Sequence, residues 1–310
     1  MKKLMTLGAA LLVVLMIAGC SMQPPGWARP NNASESGKIK IGLSISTLNN
    51  PFFVSLKDGV VKEAQKQGIE VIVVDAQNDS AKQSNDVDDL LQQGVNALLV
   101  NPTDSAAISS AVQAANGLDI PVIALDRSAD QGDVKALVAS DNAKGGEMAA
   151  EYLVKQLGEG AKVIELQGVP GASATRERGK GFHEIADKQL DVIASQAADF
   201  DRTKGLTVME NLLQGNPDVQ AVFAHNDEMA LGAIEAIESS GKDIPVVGFD
   251  GNDDALTSIK NGKMNATVAQ QPELIGQLAV NAARDVLQGK AVEASIPAPL
   301  KLVTKDDQGS

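Results

Sequence analysis

Residues 39–75 read IKIGLSISTLNNPFFVSLKDGVVKEAQKQGIEVIVVD. Ile39–Ser46 is a short, mostly apolar run of strand-forming residues. Phe52–Gln67 then places apolar residues at 53, 56, 60, 61 and 64, the spacing of one helix face, and Gly68 supplies the stop. Glu70–Asp75 returns to a Val/Ile run. Strand, helix and strand in this order make a βαβ unit with parallel strands. Neither strand alternates cleanly between apolar and polar residues, and such runs belong to strands covered by helices on both faces.

The same alternation continues downstream. Short strands are expected at Ala97–Val100, Pro121–Leu125, Ala136–Ala139, Lys162–Leu166, Val192–Ser195, Ala221–Ala224, Pro245–Phe249 and Ala266–Ala269, with a last extended stretch over 296–304. Helices are expected over 80–93, 104–116, 142–157, 174–188, 202–214, 226–240, 252–261 and 272–288. Ten or eleven strands are many for one open sheet and suit two lobes. The fold class is therefore α/β, with two doubly wound parallel-sheet lobes.

Upstream, residues 1–19 carry Lys2 and Lys3 ahead of an apolar stretch from Leu4 to Ala18. That stretch is short for a membrane span and fits an export signal. It ends Ile17-Ala18-Gly19-Cys20, which resembles the lipobox of bacterial lipoproteins, with Cys20 as the lipidated residue. Residues 20–37 are rich in Pro and small polar residues and read as a flexible tether. The expected location is extracytoplasmic, with the membrane reached through the lipid only.

Composition removes several classes of function. A net charge of −13 disfavours phosphate backbones, so no nucleic-acid partner is expected. One Cys and two His leave little for a metal centre or for histidine acid–base work, so no metal, cofactor or enzymatic activity is expected. Aromatics make up only 3% of the chain, so any aromatic outside a core needs a reason.

Open α/β sheets bind ligands beyond the carboxyl ends of their strands. The residues there are Asn50, Phe52 and Phe53 after the first strand, Asn101 after Ala97–Val100, and Asp126 and Arg127 after Pro121–Leu125. Farther along come His225, Asn226 and Asp227, then Asp250, then Gln270. Adjacent Phe52 and Phe53 cannot both share the helix's core stripe, so at least one is expected to face the mouth of the sheet. Asn226 and Asp250 also fit helix caps, Asp126–Arg127 fits a solvated loop pair, and Arg176 and Arg178 fit solvated helix charges. Acids, amides and guanidinium forks can each engage paired hydroxyls, and aromatic faces cover the C–H faces of a sugar ring. No GxxxxGK[ST] loop is present to cradle phosphate. The set suits an uncharged polyol and contains no nucleophile–base pair.

STLNNPFFVSLKDG (46–59), NPTDS (101–105), LDR (125–127), GEGAKVIELQG (158–168), RERGKGF (176–182), ADFDR (198–202), NDEMALGA (226–233) and VVGFDG (246–251) together resemble the ribose-binding family of bacterial ABC transport systems. That family lies within the type I periplasmic sugar-binding proteins and is related to the ligand cores of lac-type repressors. The similarity runs over about residues 39–305. It implies phenylalanines sandwiching the sugar, at Phe52 and Phe53 on one lobe and Phe200 on the other. It implies hydroxyl-binding side chains at Asn50, Asp126, Arg127, Arg178, Asn226 and Asp250, with Gln270 near the hinge. It also implies lobes of 38–140 plus 271–299 and 141–270 plus 300–310, joined by a three-stranded hinge. The implied partners are D-ribose, an ABC permease with its cytoplasmic ATPase, and in some systems a chemoreceptor, with the protein acting as a monomer. Allose, another pentose or a furanosyl ligand on the same scaffold is the competing expectation. The lipobox departs from the plain cleavable signal of free periplasmic members.

Overall fold

The computed structural model describes residues 38–308. The export signal, Cys20, the tether and Trp27 lie outside the described residues. The first half runs β1 (Lys40–Ile45), α1 (Pro51–Lys66), β2 (Glu70–Asp75), α2 (Ser80–Gln92), β3 (Ala97–Val100), α3 (Ser109–Gly117), β4 (Val122–Leu125) and β5 (Val134–Ser140). It continues α4 (Asn142–Leu157), β6 (Ala161–Gln167), α5 (Ser173–Gln189), β7 (Leu190–Ala197), α6 (Arg202–Gly215), β8 (Ala221–Ala224), α7 (Asp227–Ser239) and β9 (Val246–Asp250). Then come α8 (Asp253–Lys260), β10 (Ala266–Ala269), α9 (Pro272–Leu287), β11 (Ser295–Ala298) and β12 (Lys301–Thr304), with a 3₁₀ turn over Lys305–Gln308.

Two six-stranded sheets result, ordered β11-β5-β4-β3-β1-β2 and β12-β10-β9-β8-β6-β7. Every pairing is parallel except β10 with β12. The central strands β3, β4, β8 and β9 are buried along their whole length, as apolar runs without alternation require. In each sheet the chain starts one strand in from an edge, goes out to that edge, and returns to build the other side. The point of reversal lies between β1 and β3 in one sheet and between β6 and β8 in the other. Such a switch leaves a crevice at the strand ends.

Two apolar layers cover each sheet. On the first, α1 and α9 pack against one face, and α2 and α3 against the other. On the second, α6, α7 and α8 pack against one face, and α4 and α5 against the other. The backbones of α1 and α9 touch: a Cβ on Gly59 would stand 2.7 Å from Glu273 Cα, and one on Gly276 2.7 Å from the Val60 nitrogen. No residue larger than glycine fits there without parting the helices.

The chain passes between the sheets three times. It leaves the first after β5 into α4, returns after β10 into α9, and leaves again between β11 and β12. The stretch expected as one extended run over 296–304 is therefore two strands in two sheets. Helix α3 starts at Ser109 rather than near 104, because Asp104 turns back and its Oδ1 accepts from the nitrogens of Ala106 and Ala107 at 2.9 and 2.8 Å.

Candidate functional site

Strand ends of both sheets converge on one small cavity. It is lined by Asn50, Phe52, Phe53, Asp126, Arg127, Ala174, Arg178, Phe200, Asn226 and Asp250. Nine of these ten were expected from the sequence; Ala174 is the addition, on the first turn of α5. Gln270 is not part of the lining. It stands one step behind, donating from Nε2 to Asp250 Oδ1 at 2.8 Å.

Local structure explains each placement. Asn50 caps α1, its Oδ1 accepting from the Phe52 nitrogen at 2.9 Å. Pro51 opens that helix, and Phe52 and Phe53 in its first turn meet edge to face at 5.2 Å. Both rings belong to the first core and both reach the cavity wall. Asn226 does two things at once: it caps α7 through the Met229 nitrogen at 3.0 Å and lines the cavity. Asp250 caps nothing; α8 begins after Asn252 without a side-chain cap. Arg178 is not a solvated helix charge but is buried, whereas Arg176, two residues earlier, is exposed.

Three of the lining residues hold backbone angles that side chains rarely adopt: φ is 62° at Asp126, 60° at Phe200 and 124° at Asp250. Each such residue costs on the order of 1–3 kcal/mol and persists where its surroundings force it. Their clustering around one cavity marks it as a built site.

The charged groups balance, two acids against two guanidinium groups. Asp126 Oδ2 lies 3.5 Å from Arg127 Nε, and Arg178 Nη1 lies 3.7 Å from Asp250 Oδ1. The Arg127 guanidinium sits between rings of both lobes, 5.1 Å from the centroid of Phe53 and 5.1 Å from that of Phe200. Arg178 lies 3.7 Å from the centroid of Phe249. It is further held by Asn142 Oδ1, which accepts from its Nε at 2.9 Å, and by the His225 carbonyl, which accepts from Nη1 at 2.6 Å. Asn142, Phe249 and the His225 carbonyl are supports that sequence reasoning missed. A signal for the first was its position at the start of a helix just after a strand end.

Burial pushes Asp126 above the usual carboxylate range against the pull of Arg127 and Arg178. Burial likewise raises Asp250 well above that range, opposed by Arg178. Burial lowers Arg127 to about 10, opposed by Asp126. Asp126 Oδ1 and Arg127 Nε are buried and have no hydrogen-bond partner within the described residues. An unmatched buried polar atom costs about 1–3 kcal/mol, and a group that pairs with either atom relieves that cost.

The lobes meet directly at the mouth. The Ser105 nitrogen donates to the Gly171 carbonyl at 3.0 Å, the Ser173 nitrogen to Ser105 Oγ at 3.1 Å, and the Ser128 nitrogen to Ser173 Oγ at 2.9 Å. Arg176 Nη2 donates to Asp130 Oδ1 at 2.8 Å. The cavity is thus shut between the two sheets.

Away from the cavity, Glu165 is fully buried between both histidines of the chain, 2.9 Å from His225 Nε2 and 3.2 Å from His183 Nε2. Among the described residues, no group of three His, Cys, Asp or Glu side chains is placed to hold a metal ion, and no helix is long and apolar enough to cross a membrane.

The chain is 67% identical over 305 residues to the ribose import binding protein RbsB of Bacillus subtilis, covering 98% of this chain and 100% of that one. It is 53% identical over 307 residues to RbsB of Salmonella typhimurium, covering 98% and 99%. The crystal structure of the Caulobacter myo-inositol binding protein bound to myo-inositol superposes with a TM-score of 0.83 at 34% identity, over 87% of this chain and 94% of that one. The family model of the periplasmic binding protein domain matches residues 41–291. With its two switch-point crevices facing each other across a charge-balanced cavity, the chain belongs to the periplasmic binding proteins of type I, among the ribose-binding proteins of ABC import systems.

Proposed function

We propose that this protein captures D-ribose between its lobes and hands it to an ABC permease. The observation that carries the assignment is the cavity itself: two acids and two guanidinium groups of cancelling charge, two amides, and phenyl rings from both lobes. A neutral ring with several hydroxyls satisfies that set, whereas an anion or cation would leave a charge unmatched. The names of the relatives at 67% and 53% identity point to the pentose rather than another polyol.

In this reading Phe52, Phe53 and Phe200 cover the faces of the sugar ring. Asn50, Asp126, Arg127, Arg178, Asn226 and Asp250 engage its hydroxyls, and Gln270 steadies Asp250. The lobes divide as 38–140 plus 271–299 and 141–270 plus 300–310, so that the three crossings act as the hinge. A ligand that touches both lobes favours the closed arrangement over an open one, and periplasmic binding proteins are a standing example of such hinge closure. A lipid on Cys20 would keep the protein at the membrane near its permease, and the closed form would equally serve a chemoreceptor.

Calorimetric titration tests the assignment. D-ribose should bind one to one, more tightly than allose, arabinose or xylose. A sugar with an inverted hydroxyl leaves one buried group unpaired, at about 1–3 kcal/mol. No heat with ribose, or equal affinity for all four sugars, would refute it.

A further inference from the structure

The cavity presents the carboxylate of Asp250, but a different acid holds the backbone that carries it. Asp227, the first residue of α7, is fully buried and is not part of the cavity lining. Asp250 and Gly251 have consecutive positive φ angles of 124° and 79°. The next two backbone N–H groups, those of Gly251 and Asn252, donate to Asp227 Oδ2 at 2.7 and 2.8 Å. The other oxygen, Oδ1, accepts from the Thr267 hydroxyl on β10 at 2.7 Å. Room for this carboxylate exists because β9 has a glycine opposite it: a Cβ on Gly248 would overlap Asp227 Oδ1. Helix α7, strand β9, the turn after it and strand β10 are thus tied together by one side chain.

We propose that Asp227 is a positioning residue for ligand capture: it clamps the turn over 250–252 and so aims Asp250 at the sugar. The proposal rests on the reading of the cavity as a sugar site. Without the clamp, two adjacent backbone donors lose their shared acceptor, and the strained angle at Asp250 is left to its bonds with Gln270. Asp250 would then relax away from Gln270 and Arg178.

A structural brick and a positioning residue make different predictions in a double-mutant cycle on ribose affinity. Asp227→Ala should weaken ribose binding by at least about tenfold in the otherwise wild-type protein. In an Asp250→Asn background the same change should cost less than about threefold, because the group it positions is already impaired. Equal losses in both backgrounds, or wild-type affinity in Asp227→Ala, would overturn the clamp. Two milder variants keep the test open if Asp227→Ala does not fold. Asp227→Asn retains one oxygen for the two N–H groups, and its amide can donate to Thr267, so affinity should stay within about threefold of wild type. Asp227→Leu with Thr267→Val fills the same space without any acceptor and should bring back the loss seen without the clamp. Asp227→Leu with Thr267→Val binding like wild type would also overturn the proposal. Wild-type protein that binds no ribose overturns the site reading as well, whereas wild-type binding with an indifferent Asp227 overturns the clamp alone.

Discussion

Arg176 and Arg178 are chemically alike and two positions apart, yet one is solvated and the other is buried against Phe249 and Asp250. About 200° of helix rotation separates them, which sends them to opposite sides of α5. Removing the buried one strands Asp250, Asn142 and the His225 carbonyl together. Arg178→Ala should therefore weaken ribose binding by about 2–5 kcal/mol, while Arg176→Ala, at an exposed ion pair, should cost no more than about 1 kcal/mol. Calorimetry on the two variants decides; equal losses would show that the lobes, not the cavity, set the affinity. Periodicity could not rank these two arginines, because so polar a helix gives no phase; only the family resemblance singled out Arg178. Phe52 and Phe53 were legible for another reason. In a chain with six phenylalanines, a pair at a helix start after a strand end is conspicuous. The expectation that at least one faces the mouth holds, and the short first turn of α1 lets both do so.

At the level of elements, the strands were readable because fully covered strands are short apolar runs, and their order of appearance implied parallel sheets. The partition of the last stretch was not readable. Ile296-Pro297-Ala298-Pro299-Leu300 looks continuous, and only the positions of β5 and β10 decide that β11 joins one sheet and β12 the other. The loop after β6 was equally silent, although it forms the seam between the lobes. Gly171 in that loop lies against Asp104 of the opposite lobe: a Cβ there would overlap the Asp104 carboxylate and stand 2.6 Å from its Cγ. Gly171→Ala should thus hinder closure, raising the ribose dissociation rate by about tenfold or more without touching the sugar. Asp104→Ala removes the obstacle and should return much of the lost affinity to Gly171→Ala. Stopped-flow release of ribose measures both, and a double variant as weak as Gly171→Ala alone would rule out the steric account.

For the molecule as a whole, acids inside the cavity couple folding to pH. Asp126 and Asp250 titrate above their ordinary range, and burial lifts Asp227 to about 7 against its three hydrogen bonds. A carboxyl with a raised folded pKa binds protons that the unfolded chain does not yet bind. Stability of the sugar-free protein should therefore rise as pH falls from about 7 toward about 4, where the unfolded carboxylates begin to take up protons too. His225, held below its ordinary value by burial, works against this below about 6.5, and Glu165, held down to about 2 against burial by its hydrogen bond to His225, works against it as pH nears 4.5, so the rise should be steepest between about 7 and 5. Urea unfolding across that range should show the trend, with a shallower slope in Asp250→Asn. An unchanged slope would mean that Asp250 is not the group taking up the proton.

The balance of two acids and two guanidinium groups inside a body of net charge −13 has a kinetic consequence. A neutral guest feels almost no long-range pull from its host, so its rate of entry should be flat from dilute buffer to concentrated salt. The anionic exterior concerns only macromolecules and membranes. Feeding on sugar is thereby insulated from changes in the saltiness of the surroundings, while any docking between proteins remains exposed to them.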